Sequence, residues 1–258
     1  MSTRTATVAT QPARRALRKL IGLECKLAIR APVALVLGVA VPVMLLAIFG
    51  ESGAFEKRVA TTSITYRTEF VPILIGLVLV LIALVALPIP VVNQRESAYL
   101  RRLSTTPVAP RWLLTAQLVV DLALAVAAIT LIVAGDVLLF GVHAPGQWPG
   151  FILAALLATL ALFTLGLLVA AIAPTAAAAG AIGTILLYPL LFFAGLWTPR
   201  ATMSPLMHHI SNLTPLGAAV EAMLKAMQGS FPSIGSLGVM ATWALLCGLA
   251  AVKLFRWE

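Results

Sequence analysis

The sequence predicts an all-α polytopic membrane protein with six transmembrane helices, and three observations predict it. Hydrophobic residues make up 61% of the 258 and charged residues 10%, against roughly 25% charged in an ordinary soluble domain. Six apolar runs reach the roughly 20 residues that a helix needs to cross the hydrocarbon core. The cations are unevenly shared between the loops that such a thread places on opposite sides. The spans fall near 31–50, 70–92, 113–138, 150–172, 180–198 and 233–252. The whole chain, 1–258, reads as one membrane domain, with no room for a soluble catalytic domain.

Charge sets the orientation. With the N-terminus inside, 13 of the 18 Lys and Arg residues fall on the inner side: seven before residue 31, then Arg95, Arg101, Arg102, Arg111, Lys253 and Arg256. Lys57, Arg58, Arg67, Arg200 and Lys225 fall outside. An excess of cations in cytoplasmic loops places both termini in the cytoplasm. The same asymmetry explains the net charge of +9 without a nucleic acid. No cleavable signal peptide is evident, because the first apolar run is as long as a span. Cys25 and Cys247 read as small packing residues rather than a redox or metal pair.

Residues 1–11 lack an apolar rhythm and read as a disordered tail. From 12 to 30, Ala16, Leu17, Leu20, Ile21, Leu27 and Ala28 line one helical face. Arg14, Arg15, Arg18, Lys19 and Lys26 line the other, the pattern of an interfacial amphipathic helix on anionic headgroups. Glu24 interrupts the apolar face, as an edge residue or as a contact for a cytoplasmic partner. The loop 51–69 balances three acids against three bases and reads as solvated. Pro72, Pro88 and Pro90 lie in the second span, where prolines are tolerated if neighbours satisfy the freed carbonyls.

Between the second and third spans lies a polar island, Asn93 to Pro107. It reads as a short cytoplasmic helix with Asn93 as N-cap, Glu96 as a capping-box acid and Pro107 as its stop. Tyr99, Leu100 and Leu103 share one face, with Arg95, Arg101 and Arg102 elsewhere. A structured basic helix in an internal loop predicts a docked partner.

The run 137–199 holds no Lys or Arg and no acid. It breaks at an outer turn, 143–149, and at an inner turn, 173–180, so the fourth and fifth spans form a hairpin. Small residues from Ala176 to Gly183 permit close helix approach. Between the fifth and sixth spans, Ser204-Pro205 and Thr214-Pro215 each pair an N-cap with a first-turn proline. They predict two short helices in the outer leaflet or dipping partway in, the second ending near Gly229. That helix carries Glu221 and Lys225 as an i, i+4 pair.

Enzymatic constellations are absent from the sequence. There is no G-x-x-x-x-G-K-[ST] loop, no H-E-x-x-H and no G-x-S-x-G. Adjacent His208 and His209 would point about 100° apart on a helix and would not chelate together. Asp121 lies about two turns into the third span, where an unpaired charge costs at least about 2.5–3.5 kcal/mol. It must face the protein interior, an aqueous path or a partner, and it is the candidate translocation-pathway residue. Asp136 lies nearer the outer end, within reach of headgroups. Few intramembrane ionisable groups disfavour a proton-coupled transporter, and no ring of like charges marks an ion channel.

Three segments in order resemble the membrane subunits of ABC type-2 transporters, specifically permeases of the daunorubicin-resistance drug exporter type. They are Gly22 to Pro32 (GLECKLAIRAP), Arg95-Glu96 with Leu100 to Val108 (LRRLSTTPV), and the set Phe193 to Pro199, Met203 to Pro205 and Leu213 to Pro215. The resemblance implies export of hydrophobic or amphipathic, drug-like compounds across the bacterial cytoplasmic membrane. It implies a second permease subunit, identical or not, and a separate ABC ATPase that binds ATP and Mg, with no cofactor on this chain. By motif, the ATPase-coupling residues are Arg95, Glu96, Tyr99, Leu100, Arg101, Arg102 and Leu103, with Glu24 on the N-terminal helix. Where many relatives have Glu-Arg-Glu and a Gly-Thr pair, this chain has Gln94-Arg95-Glu96 and Ala98-Tyr99. Lipid or glycan export by the same kind of machine is the alternative, and an ATP-independent transporter a more distant one.

Overall fold

The computed structural model describes residues 66–96, 111–140 and 144–255, preceded by Gly22, Ala40, Val41, Met44 and Ile48. All regular structure among the described residues is helical. Helix α1 spans Tyr66–Leu81 and passes through a π-helical turn, Ile82–Ala86, into α2, Pro88–Glu96. Then come α3 (Arg111–Phe140), α4 (Trp148–Ile172), α5 (Ala176–Ala194), α6 (Pro205–Leu213), α7 (Pro215–Met227) and α8 (Ile234–Leu254). Five helical segments are long and apolar enough to cross a membrane: 69–96, 114–138, 148–172, 176–194 and 234–254. They match the second to sixth predicted spans. Apart from four isolated positions, the predicted span 31–50 lies outside the described residues.

Side-chain caps place the helix starts. Gln147 accepts the Gly150 amide, Thr175 that of Ala178, Ser204 that of Met207, Thr214 that of Gly217 and Ser233 that of Ser236. Each satisfies one of the orphan amides of a first turn. Both Ser204-Pro205 and Thr214-Pro215 act as the sequence predicts. At the other end of α5, Gly195 closes the helix with φ +98°, a left-handed geometry that favours glycine.

Two boundaries differ from expectation. The fifth span begins at Ala176 rather than 180, because the four alanines continue the helix and the turn shrinks to Ala173–Thr175. Alanine is the strongest helix former, so its small size marked close packing rather than a turn. Asn93 is no N-cap: it lies inside α2, and the second span runs unbroken to Glu96. The prolines there do not end the helix. The Leu87 N–H reaches Ile82 O at 2.9 Å, the i to i−5 bond of a π turn, and the helix resumes at Pro88.

The α1–α2 rod is the core of the bundle. Every residue from Val71 to Val80 is buried, as are Ile82, Ala83, Leu84 and Leu87. A helix apolar on every side suits either a protein core or lipid, and here neighbouring helices surround it. Around it pack α3, α4, α5 and α7, while α3, α5 and α8 present much of their length outward. The π turn is where the packing is closest. Pro88 has no N–H, and the Leu87 donor that Ala83 would use in an α-helix is given to Ile82. The Ala83 and Leu84 carbonyls instead abut Gly166 of α4 and Gly183 of α5. A Cβ built there would lie 2.0 and 2.1 Å from the two oxygens. Only a bare Cα fits, in the manner of Cα–H···O contacts between membrane helices.

Helices α6 and α7 form a hairpin that shares Thr214, the C-cap of one and the N-cap of the other. Trp243 Nε1 donates to Leu213 O at 2.9 Å. Trp243 stands nine residues into α8, so the hairpin tip lies about 14 Å along that helix from its start. The return arm α7 is buried from Pro215 to Val220 and packs on α1, α4 and α8. Its C-terminal carbonyls, Ala226 O and Met227 O, accept the Gln147 and Gly146 amides that precede α4.

Candidate functional site: a helix-end junction and a buried arginine

The end of the bundle near Glu96 gathers four helices. Val91 and Val92 of α2 pack with Ala170 of α4, Ala173 just beyond it and Ala179 of α5, with Leu114 of α3 and Phe255 alongside. Arg95 and Glu96 close this small core on the turn between α4 and α5. The Arg95 guanidinium donates to Ala173 O at the C-cap of α4. The Glu96 carboxylate accepts the Ala176 N–H, the first amide of α5, at 2.9 Å. Each charge meets the helix end of opposite polarity, a cation at a C-terminus and an anion at an N-terminus. Glu96 is therefore a capping acid, but it caps a helix 80 residues further along the chain. The other candidate coupling residues, Tyr99, Leu100, Arg101, Arg102, Leu103 and Glu24, lie outside the described residues.

Asp121 is buried on α3, 5% exposed, and Gln117 one turn earlier donates Nε2 to both carboxylate oxygens at 3.1 and 3.3 Å. It faces the protein interior, as the cost of a lipid-exposed charge requires. Asp136 differs from expectation: it is 3% exposed rather than at the periphery. Between α3 and α4 runs a groove of about 520 Å³, lined by apolar side chains such as Val126, Ile129, Val133, Phe151 and Ile152, with Trp148 at one end. Its threonines bond to carbonyls of their own helices, Thr130 to Val126 O and Thr159 to Ala155 O, which leaves its surface apolar.

At the opposite end lies a cluster that sequence reasoning missed. Arg200, only 3% exposed, reaches between the arms of the α6–α7 hairpin. Its Nη1 donates to Ser211 Oγ at 2.8 Å and Gly217 O at 2.9 Å. Its Nη2 donates to Asn212 Oδ1 at 2.6 Å and to Glu221 Oε2 at 3.3 Å. Ser211 Oγ in turn donates a hydrogen bond to Phe193 O at 2.5 Å, which ties the tip of α6 to the end of α5. Glu221 also holds Lys225 at 3.3 Å, the i, i+4 pair expected from spacing. Glu69, read from sequence as part of a solvated loop, is buried beside Arg200.

Burial draws the Arg200 pKa down while Glu221 and Glu69 hold it up, and a guanidinium remains charged throughout the accessible pH range. The available signal was a single cation after a run free of Lys and Arg, next to a hairpin carrying an acid. His208 is half-buried and touches Asn212, His209 is exposed, and the two do not converge. Among the described residues no group of three His, Cys, Asp or Glu side chains could hold a metal. Cys247 is buried in the apolar core.

No curated protein matches the chain. A family model described as the ABC-2 type transporter matches residues 15–227, which include four of the five candidate membrane segments, the Glu96 junction and the Arg200 hairpin. The chain belongs to the ABC-2 type transporter membrane family.

Proposed function

We propose that this chain is the permease subunit of an exporter for hydrophobic or amphipathic, drug-like compounds, driven by a separate ABC ATPase that carries ATP and Mg. The family match carries the reading: ABC-2 membrane domains normally work with an ATPase subunit. The docking surface is the basic segment 97–107, which follows Glu96 in the sequence. Arg101 and Arg102 supply the cations for acidic groups of the ATPase, Tyr99, Leu100 and Leu103 supply apolar contacts, and Glu24 is a further contact. The chain pairs with a second permease subunit in a bacterial cytoplasmic membrane, with both termini inside. The apolar groove between α3 and α4 suits cargo with little polar surface, and Asp121 contributes a buried charge near the path.

The test is reconstitution with the candidate ATPase in proteoliposomes. Arg102→Glu places like charges across the docking surface, so export and stimulated ATP hydrolysis are expected to fall about tenfold or more while membrane insertion persists. Unchanged export and hydrolysis would remove the docking assignment. A panel of lipophilic drugs, lipids and lipid-linked glycans distinguishes the cargo by which class raises ATP hydrolysis.

A further inference from the structure

Arg95 and Glu96 spend their charges inside the molecule, on the C-cap carbonyl of α4 and the first amide of α5. Higher up, the π turn of the same rod is seated against the same two helices, through Gly166 and Gly183. From Gly166 to Ala173, and from Ala176 to Gly183, is seven residues, so the two levels lie about 10 Å apart. A rod held to two helices at two such levels transmits tilt as well as translation. The turn between those helices is only Ala173–Thr175, so the clamp grips both of its ends at once.

We propose that Arg95 and Glu96 are positioning residues that form an intramolecular clamp. The clamp makes the α4–α5 hairpin follow whatever force acts on residues 97–107, and neither residue contacts the ATPase. The proposal rests on the ATP-driven reading only for the source of that force. It assigns the two residues distinct chemical needs: position 95 must donate to a carbonyl, and position 96 must accept from an amide.

The experiment uses the permease–ATPase complex in proteoliposomes and reads ATPase retained and molecules exported per ATP. Glu96→Ala and Arg95→Ala are expected to keep the ATPase at full stoichiometry while export per ATP falls about tenfold, in line with the loss of a hydrogen bond to a charged group. Glu96→Gln and Arg95→Lys should recover most of it, because an amide oxygen still accepts and an ammonium still donates. The exchange Arg95→Glu with Glu96→Arg should fail, because helix ends keep their polarity. Loss of the ATPase from either alanine variant, unchanged export per ATP, or rescue by the exchange would each overturn the clamp.

A second measurement is independent of ATP. In a background lacking Cys25 and Cys247, Glu96→Cys with Ala176→Cys is treated with a short bifunctional thiol reagent in membranes without ATPase. Efficient intramolecular crosslinking is expected, and its absence would overturn the contact. Efficient crosslinking with no ATP-driven export from the unmodified complex would instead overturn the exporter reading and leave the clamp standing.

Discussion

Gly166→Ala and Gly183→Ala are each expected to destabilise the bundle by about 3 kcal/mol, at the upper end of what overpacking a filled interior costs. The new methyl would stand 2.0 Å from Ala83 O or 2.1 Å from Leu84 O. Both sides of the clash are backbone, so no side-chain rotation relieves it. Separating the helices would also strip the π-turn carbonyls of the contacts that replace their missing donors. For a chain of this size, a loss of that order lowers the melting temperature by roughly 6–12 °C. Heating the detergent-solubilised protein and following the folded peak by size-exclusion fluorescence measures it. Gly238→Ala is the control: that glycine lies in α8 with open space where the Cβ would go. There alanine should be neutral or stabilise by about 0.5–1 kcal/mol through helix propensity alone. Equal behaviour at the three positions would refute the close seating of the rod.

Arg200→Met is the second substitution with a large expected effect. It removes the cation from a buried ion pair, and breaking such a pair from one side costs about 3–5 kcal/mol because the other charge stays behind. Ser211, Asn212 and Gly217 O lose their donor together with Glu221. Lys225 still touches Glu221 from the more exposed side, which limits the loss. Arg200→Lys should recover little, because one ammonium cannot reach four acceptors placed around a planar fork. Adding Glu221→Gln to Arg200→Met should restore part of the stability by removing one of the two stranded acids, Glu69 being the other, a coupling that a double-mutant cycle reads directly. Additive losses would show that the two residues do not act as a unit. Since α6 and α7 are joined to α5 through the same cluster, protease sensitivity between 199 and 215 should rise with the melting defect.

Local chemistry made much of the fold legible. The hydropathy of the runs and their lengths set the second to sixth spans to within a few residues. Thr214-Pro215 and Ser204-Pro205 announced two helix starts because a cap and a proline act within one turn. The Glu221–Lys225 pair followed from helix geometry for the same reason. Errors arose where two local readings competed. Ala176 to Ala179 resembled a turn by size but favoured a helix by propensity. Asn93 had cap chemistry, yet the chain had already resumed helix at Pro88.

What the sequence by itself determined was the class: a multi-pass helical membrane protein of the ABC-2 type, with a basic segment after the second span and a capped hairpin after the fifth. Which helix sits at the centre was a tertiary decision, because every span is apolar and lipid and protein demand the same side chains. Only packing shows that Gly166 and Gly183 receive two displaced carbonyls, since a bare Cα has meaning only beside what approaches it. Long-range electrostatics decided the rest. Arg200 found its acceptors on two later helices, and Arg95 and Glu96 found the two ends of a turn some 80 residues away. Local spacing carries no record of such partners, because charges pair by distance in space and the fold alone brings those atoms together.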